Sequence, residues 1–278
     1  MTIRKPAAAG RFYPPDEASL KKLMDQMLAE AGPSTFSLRN QEVLGGIVPH
    51  GAYAYSGKTA LCFFNSLLES GFVFDTAVII SPNHSGWGPG LALDDHSAWQ
   101  TPLGLVKVDK DFFPLLDMEA SAETHQLEHS TEVILPLLQY FFRKEFKILP
   151  IAMWDQSVST AQGLALQLIK ANKKLGKKML VIASSDFSHY ESPGFGRGKD
   201  DLALDQIAGF DLNGLAKVIK QNDISICGYG PIMTIMAMAK LIFEKPAFKI
   251  SHRSNSGQAV ASAEVVNYVS AVFYGQAN

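Results

Sequence analysis

Residues 77–87 read Ala-Val-Ile-Ile-Ser-Pro-Asn-His-Ser-Gly-Trp, and the fold turns on this stretch. Ala77 to Ile80, followed by Ser81, is a continuous apolar run of strand length, and Pro82 stops it. His84 then stands just past the strand end, with Gly86 close behind. The same arrangement recurs twice. GGIVPHGAY brings His50 after the strand Val43 to Val48, and LVIASSDFSHY brings Asp186 and His189 after the strand Met179 to Ser184. Runs that are apolar without alternation suit parallel strands covered by helices on both faces. In open α/β sheets, ligands bind beyond the carboxyl ends of such strands. Three strands ending in His or Asp therefore point to one shared site, with the donors of a metal centre.

Working outward, helices separate these strands. Pro14 and Pro15 open a helix with Asp16 in its first turn, and its Leu20, Leu23, Met24, Met27 and Leu28 recur at helical spacing until Gly32-Pro33. Lys58 to Leu68 is amphipathic, with Cys62 as a small buried hydrophobe. Phe146 to Met153 is a further strand and Ser157 to Ala171 a helix. Asp200 to Ile219 forms two short helices broken at Gly209 to Asn213, and Ile232 to Phe243 forms another, with Met233, Met236 and Met238 as core filler. Phe248 to Arg253 and Glu264 to Tyr274 alternate as strands and pair antiparallel at the sheet edge. Ala7 to Tyr13 reads as a packed arm with Arg11 and Tyr13 facing a cleft. Gly90 to Val108 reads as an excursion of two short strands around Thr101-Pro102 that roofs the cleft, with His96 in an exposed turn. Asp109 to Leu116 is a short helix, and Lys173 to Lys178 a solvated basic turn.

The totals narrow the function classes. The chain has 278 residues, 47% hydrophobic and 19% charged, enough for a sizeable core and against long disorder. Net charge is -2, so no electrostatic ground exists for a nucleic-acid or acidic-membrane partner. Two cysteines make no disulfide framework, and no 18-residue apolar run or signal-type h-region occurs. The expectation is a soluble, cytoplasmic protein.

Two further stretches carry chemistry. In Glu123 to Pro136 (ETHQLEHSTEVILP), Ser130 reads as a helix cap with Glu132 in the first turn, and His129 sits just before the cap, at a helix mouth. Pro136 kinks that helix or marks its true start. Cys227 lies in a glycine-flanked turn ahead of a helix N-terminus, where the dipole favours thiolate. Two neutral imidazoles and one thiolate, His50, His84 and Cys227, are a sound ligand set for zinc, iron or copper. Asp186 and His189 form an acid/base pair or a carboxylate-oriented imidazole beside the metal; the plainer alternative is a turn cap and an exposed ring. Ser184 and Ser185 near that pair suggest a serine triad only weakly, because no G-x-S-x-G elbow is present. P-loop and dinucleotide fingerprints are absent too.

Taken together in order, AGRFYP, PHGAYAYSG, SPNHSG, EHSTEVILP, SSDFSH and ICGYGP resemble the Memo family, whose prokaryotic members carry the name AmmeMemoRadiSam system protein B. The resemblance spans about Ala9 to Phe273. It implies the fold of the class III extradiol dioxygenases: α/β, one three-layer α/β/α domain over residues 1–278, with a mostly parallel central sheet and an antiparallel edge. It places a divalent metal on His50, His84 and Cys227, iron or copper first and zinc as the alternative. His129, Asp186 and His189 then line the same cleft. The dioxygenases have a carboxylate where this chain has Cys227, a softer ligand that argues against extradiol ring cleavage. The chain also has Gly51-Ala52 where relatives read Ala-Gly, and GYGP where some carry a basic pair.

Three functions are consistent with that resemblance. The first is a dioxygenase-like, non-haem metal site performing redox or O₂-linked chemistry on a small molecule, with His189 as acid/base and Asp186 as its orienter. The second is a zinc-dependent hydrolase. The third is a non-catalytic module binding a peptide or partner in the cleft. The family name also implies a functional link to a radical SAM protein.

Overall fold

The computed structural model describes residues 2–34 and 36–277. The first strand, β1 (Ile3–Arg4), precedes the arm and helix α1 (Glu17–Ala31), which begins one residue after Asp16 because that side chain caps it through Ser19 N. Strand β2 (Glu42–Val48) leads to His50; one π-helical turn, Tyr53–Gly57, then runs directly into α2 (Lys58–Ser70). Strand β3 (Thr76–Pro82) is followed by β4 (Leu91–Leu93), β5 (Ala98–Thr101), β6 (Gly104–Val108), a 3₁₀ turn Lys110–Leu115 and β7 (Glu119–Ala120). Short helices α3 (Ala122–Gln126), α4 (His129–Glu132) and α5 (Leu135–Phe141) come next. Pro136 marks a true start, lying in the first turn of α5.

The second half continues with β8 (Lys147–Met153), α6 (Val158–Leu175), β9 (Met179–Ser184), α7 (Pro193–Ala208) and α8 (Leu212–Asn222). It ends in α9 (Tyr229–Ile242), β10 (Phe243–Asn255) and β11 (Asn267–Ala277).

One mixed sheet runs in the order β1-β5-β6-β8-β3-β9-β2-β11-β10. Strands β6, β8, β3, β9 and β2 are mutually parallel, and β11 and β10 close one edge antiparallel. The α/β reading with a mostly parallel sheet and an antiparallel edge is what the chain adopts. The layers follow from the period of two in β3. Val78 and Ile80 pack with Leu164, Leu168, Ile235 and Met236 on one face, whereas Ala77 and Ile79 pack with Leu20, Leu61, Phe64 and Leu137 on the other. All four β3 residues are fully buried, and each such Val or Ile contributes about 1.5–3 kcal/mol relative to exposure. The close strand pairing needs Gly45, where an added Cβ would meet the Val181 carbonyl oxygen at 1.7 Å.

Several local expectations are corrected. The excursion from Gly90 forms its two strands around Thr101-Pro102 as β5 and β6, but they are part of the sheet: β6 lies beside β8, and β4 also pairs with β8. His96 is buried rather than exposed, because its ring nitrogen bonds Asp94 at 2.7 Å and Asp94 also accepts from the buried Trp99 indole. Lys177 is not simply solvated; it reaches the buried Asp109 and the exposed Asp111, each at 2.7 Å. The final helix starts at Tyr229, so Pro231 sits within its first turn, where a proline costs no hydrogen bond. No helix among the described residues is long and apolar enough to cross a membrane.

Candidate metal centre

Strands β3, β9 and β2 are neighbours in the sheet, and their carboxyl ends deliver His84, Ser184 with Asp186, and His50 to one place. Cys227 arrives from the turn between α8 and α9. His50 Nε2 lies 3.4 Å from Cys227 Sγ, and the ligand atoms of His50, His84 and Cys227 all fall within 4.8 Å of one another. A tetrahedral metal with bonds of about 2.0–2.3 Å separates its ligands by roughly 3.5 Å. The His50–Cys227 pair already has that spacing.

The second partners of both rings fix their tautomers. Ser184 Oγ donates to the Ser130 carbonyl at 3.0 Å, so its lone pair is left to accept from His50 Nδ1–H at 2.7 Å. His84 Nδ1 lies 3.1 Å from the Glu128 carboxylate, which can only accept. Each imidazole therefore carries its proton on Nδ1 and keeps an Nε2 lone pair free. Carboxylate and hydroxyl partners of this kind orient metal-binding histidines. Ser130 ties the two together, since its hydroxyl also meets Glu128 and sits 3.1 Å from His84 Nδ1.

Charge states agree with this assignment for His50, whereas at His84 the Glu128 charge favours a proton that a bound cation would have to displace. Burial, aided by the nearby His129 and His84 rings, holds His50 well below the ordinary histidine value, so it is neutral. Burial opposes charge on His84, but the Glu128 carboxylate outweighs it and the ring titrates above its usual range. Burial likewise opposes ionisation of Glu128, yet bonds from His84 and Ser130 hold its carboxyl well below the usual range. Burial lowers His129. Cys227 departs from the thiolate expectation: burial, and then the Asp186 charge, push the thiol up despite the start of α9 nearby. The desolvation of a half-buried sulfur beside a carboxylate exceeds the helix dipole here. A cation bound at Sγ would remove that penalty, because a thiolate ligand must be deprotonated.

The remaining predicted residues cluster here as well. Asp186 Oδ1 accepts from the backbone N–H of His50 at 2.9 Å and of Gly51 at 3.3 Å, and Oδ2 lies 4.0 Å from His50 Nε2. Its own N–H points at Cys227 Sγ, 3.2 Å away. Burial raises the Asp186 carboxyl, with the backbone bonds opposing. His189 is held by Ser225, whose carbonyl takes the ring at Nδ1 (2.8 Å) and whose hydroxyl takes its backbone N–H (2.8 Å). The orienting contact on the His189 ring thus comes from Ser225. The His129 ring stacks on His84 at 4.9 Å, lies 5.5 Å from His50, and is backed by Phe12 at 4.6 Å.

The cap of α4 is Glu128, not Ser130, and His129 is the first residue inside the helix. Glu132 does lie in the first turn of α4, but not at the surface. It is fully buried, pairs with Arg4 at 2.6 Å, and accepts from Ala7 N, Ala8 N and the Tyr13 hydroxyl. Arg4 also donates to the carbonyls of His125 and Glu128 and lies over the Trp99 ring. The arm therefore locks α4 in place; Tyr13 faces inward and Arg11 faces solvent. A second group, His84, Glu128 and His129, also has the spacing to hold a cation, but it would use the His84 Nδ1 that Glu128 already engages.

The sequence does not single out Glu128, and it offers Ser130 only as a cap and Ser184 only as a weak triad candidate, not as partners of the two rings. Their signal was adjacency: a glutamate directly before His129, and a serine ending the strand that leads to Asp186.

The family model described as Memo-like protein matches residues 4–272. A MEMO1 family protein of Pyrobaculum aerophilum is 38% identical over 285 residues, covering 99% of this chain and all of that relative. MEMO1 family proteins of Ignicoccus hospitalis and Methanosarcina mazei are each 36% identical, covering 98% and 96% of this chain and 99% and 97% of their own lengths.

Proposed function

Given that the chain belongs to the Memo-like protein family, we propose that it binds one iron or copper ion through His50 Nε2, His84 Nε2 and Cys227 Sγ and acts on a small molecule there. A redox metal on two imidazoles and a thiolate supplies electron transfer and dioxygenase-like, O₂-linked chemistry. The observation that carries the reading is the 3.4 Å approach of His50 Nε2 to Cys227 Sγ, with both histidines protonated on the nitrogen facing away.

The chain's own residues then divide the work. Ser184 and Glu128 orient the two rings. Asp186 fixes the His50–Gly51 backbone and keeps Oδ2 toward the centre. His189, with Nδ1–H given to Ser225 O, has Nε2 free to take or return a substrate proton as the acid/base. His129 forms a wall beside His84. Exposed Trp87, Trp154 and Tyr190, each on a loop that follows a sheet strand, offer apolar contact to an incoming small molecule or peptide. The family resemblance also supports a functional link to a radical SAM protein.

Cys227→Ser, prepared without nickel affinity, tests the reading by elemental analysis. Metal content should fall from about one equivalent to a small fraction. Unchanged content would remove Cys227 from the centre, and a consistent equivalent of zinc without redox turnover would favour hydrolysis.

A further inference from the structure

We propose that the cavity between the start of α7 and the β10–β11 hairpin binds a small oxyanion, a phosphate or a carboxylate group. The cavity measures about 50 Å³, room for a few waters or one such group. Its walls offer donors. Arg197 and Arg253 line it together with Asn255, Gln258 and Tyr268, whose side chains also carry donors.

Most of those donors are free. Among the described residues, Arg197 has no ion pair or hydrogen bond. Arg253 gives only Nη1 to Asp201, leaving the rest of its five-donor fork. Tyr268 is 4% exposed, yet its hydroxyl has no partner among the described residues. The hydroxyl itself is not sealed from solvent, so it is available to donate to an acceptor that enters the cavity.

The acid in the wall does not oppose this. Asp200 Oδ1 accepts from Ser188 N and Oγ at 3.0 and 2.6 Å, and Oδ2 accepts from Asn267 Nδ2 at 2.6 Å. Its lone pairs are thus directed at protein donors. Two guanidinium groups, one of them unpaired, beside a carboxylate whose oxygens are engaged give the cavity a positive balance, the complement of an anion rather than a cation. Pro193, the first residue of the 16-residue α7, also lines it, and Ser192 makes no side-chain cap bond, so the positive helix end is turned to the same space.

Tyr268 places this site next to the candidate metal centre. A Cβ on Gly51, the residue after His50, would come within 2.9 Å of Tyr268 Cε1 and 3.2 Å of its hydroxyl. The inference stands on these donors alone and does not require a metal.

Isothermal titration of the full chain with inorganic phosphate and, separately, acetate, at constant ionic strength in chloride, tests it. The wild type should bind at least one of the two saturably, and the tighter anion names the group recognised. Arg197→Gln, at an exposed and unpaired position that folding does not need, should weaken binding at least tenfold. Tyr268→Phe should weaken it several-fold. Absence of saturable binding by both anions, or wild-type affinity in Arg197→Gln, overturns the site; wild-type affinity in Tyr268→Phe overturns the role of the hydroxyl.

Discussion

Replacing Glu128 by Gln changes one atom and separates the two placements that a metal could take. The Glu128 carboxylate is 2% exposed and accepts four hydrogen bonds, from His84 N at 2.7 Å, His84 Nδ1 at 3.1 Å, Ser130 N at 2.9 Å and the Ser130 hydroxyl. The amide of Gln keeps one acceptor oxygen and turns the other into a donor facing a donor. Each lost bond to a charged acceptor costs about 1.5–3 kcal/mol, so the folded state weakens measurably. If Glu128 only orients His84, metal affinity should fall about 10- to 100-fold, or roughly 1.4–2.7 kcal/mol, the usual penalty for losing a ligand's outer partner. Chelator competition, with the folded fraction checked by circular dichroism, measures it. Wild-type affinity in Glu128→Gln would refute the orienting role. Abolished binding in Glu128→Gln together with a silent Cys227→Ser would move the ion to His84, Glu128 and His129.

Arg4→Met should destabilise the chain by about 3–5 kcal/mol, because it strands the buried Glu132 charge; chemical denaturation of the single variant and of Arg4→Met/Glu132→Leu, which should recover much of the loss, checks it. Ile80→Ala should cost about 2–5 kcal/mol by opening a cavity under α6 and α9, with metal stoichiometry per folded molecule unchanged in elemental analysis. Burial holds the His125 ring below its ordinary value, so the unfolded chain takes up that proton first. The stability it contributes is present above about pH 6.5 and is lost as pH falls toward the folded value, so urea titrations from pH 7 to 5 should show a shallower decline for His125→Gln than for the wild type.

Much of the architecture was legible because β3 and β9 carry apolar runs without alternation, Ala77 to Ile80 and Met179 to Ala183, the pattern of a sheet covered on both faces. The edge hairpin was legible from alternation, although β10 begins earlier than its alternating segment, at Phe243. Long-range polar partners were not. Glu132 reads as a first-turn acid, which it is, but nothing local announces that Arg4, far upstream, buries it. His96 looked exposed beside two aspartates, but Asp94 turns inward with Trp99 and takes the ring along. In the site, His50, His84 and Cys227 could be proposed from their places at element ends. The ring-orienting roles of Glu128, Ser130 and Ser184 could not, since they exist only once β3, β9 and α4 meet. The Cys227 thiol shows the same limit: a helix start is local, whereas the burial and the Asp186 charge that dominate it are tertiary.

The account turns most directly on anomalous diffraction from a metal-loaded crystal, recorded at the iron, copper and zinc edges. It predicts one peak, at the iron or copper edge, about 2.0–2.3 Å from His50 Nε2, His84 Nε2 and Cys227 Sγ. A peak against His84 Nδ1, Glu128 and His129 instead, or none near Cys227, would contradict it.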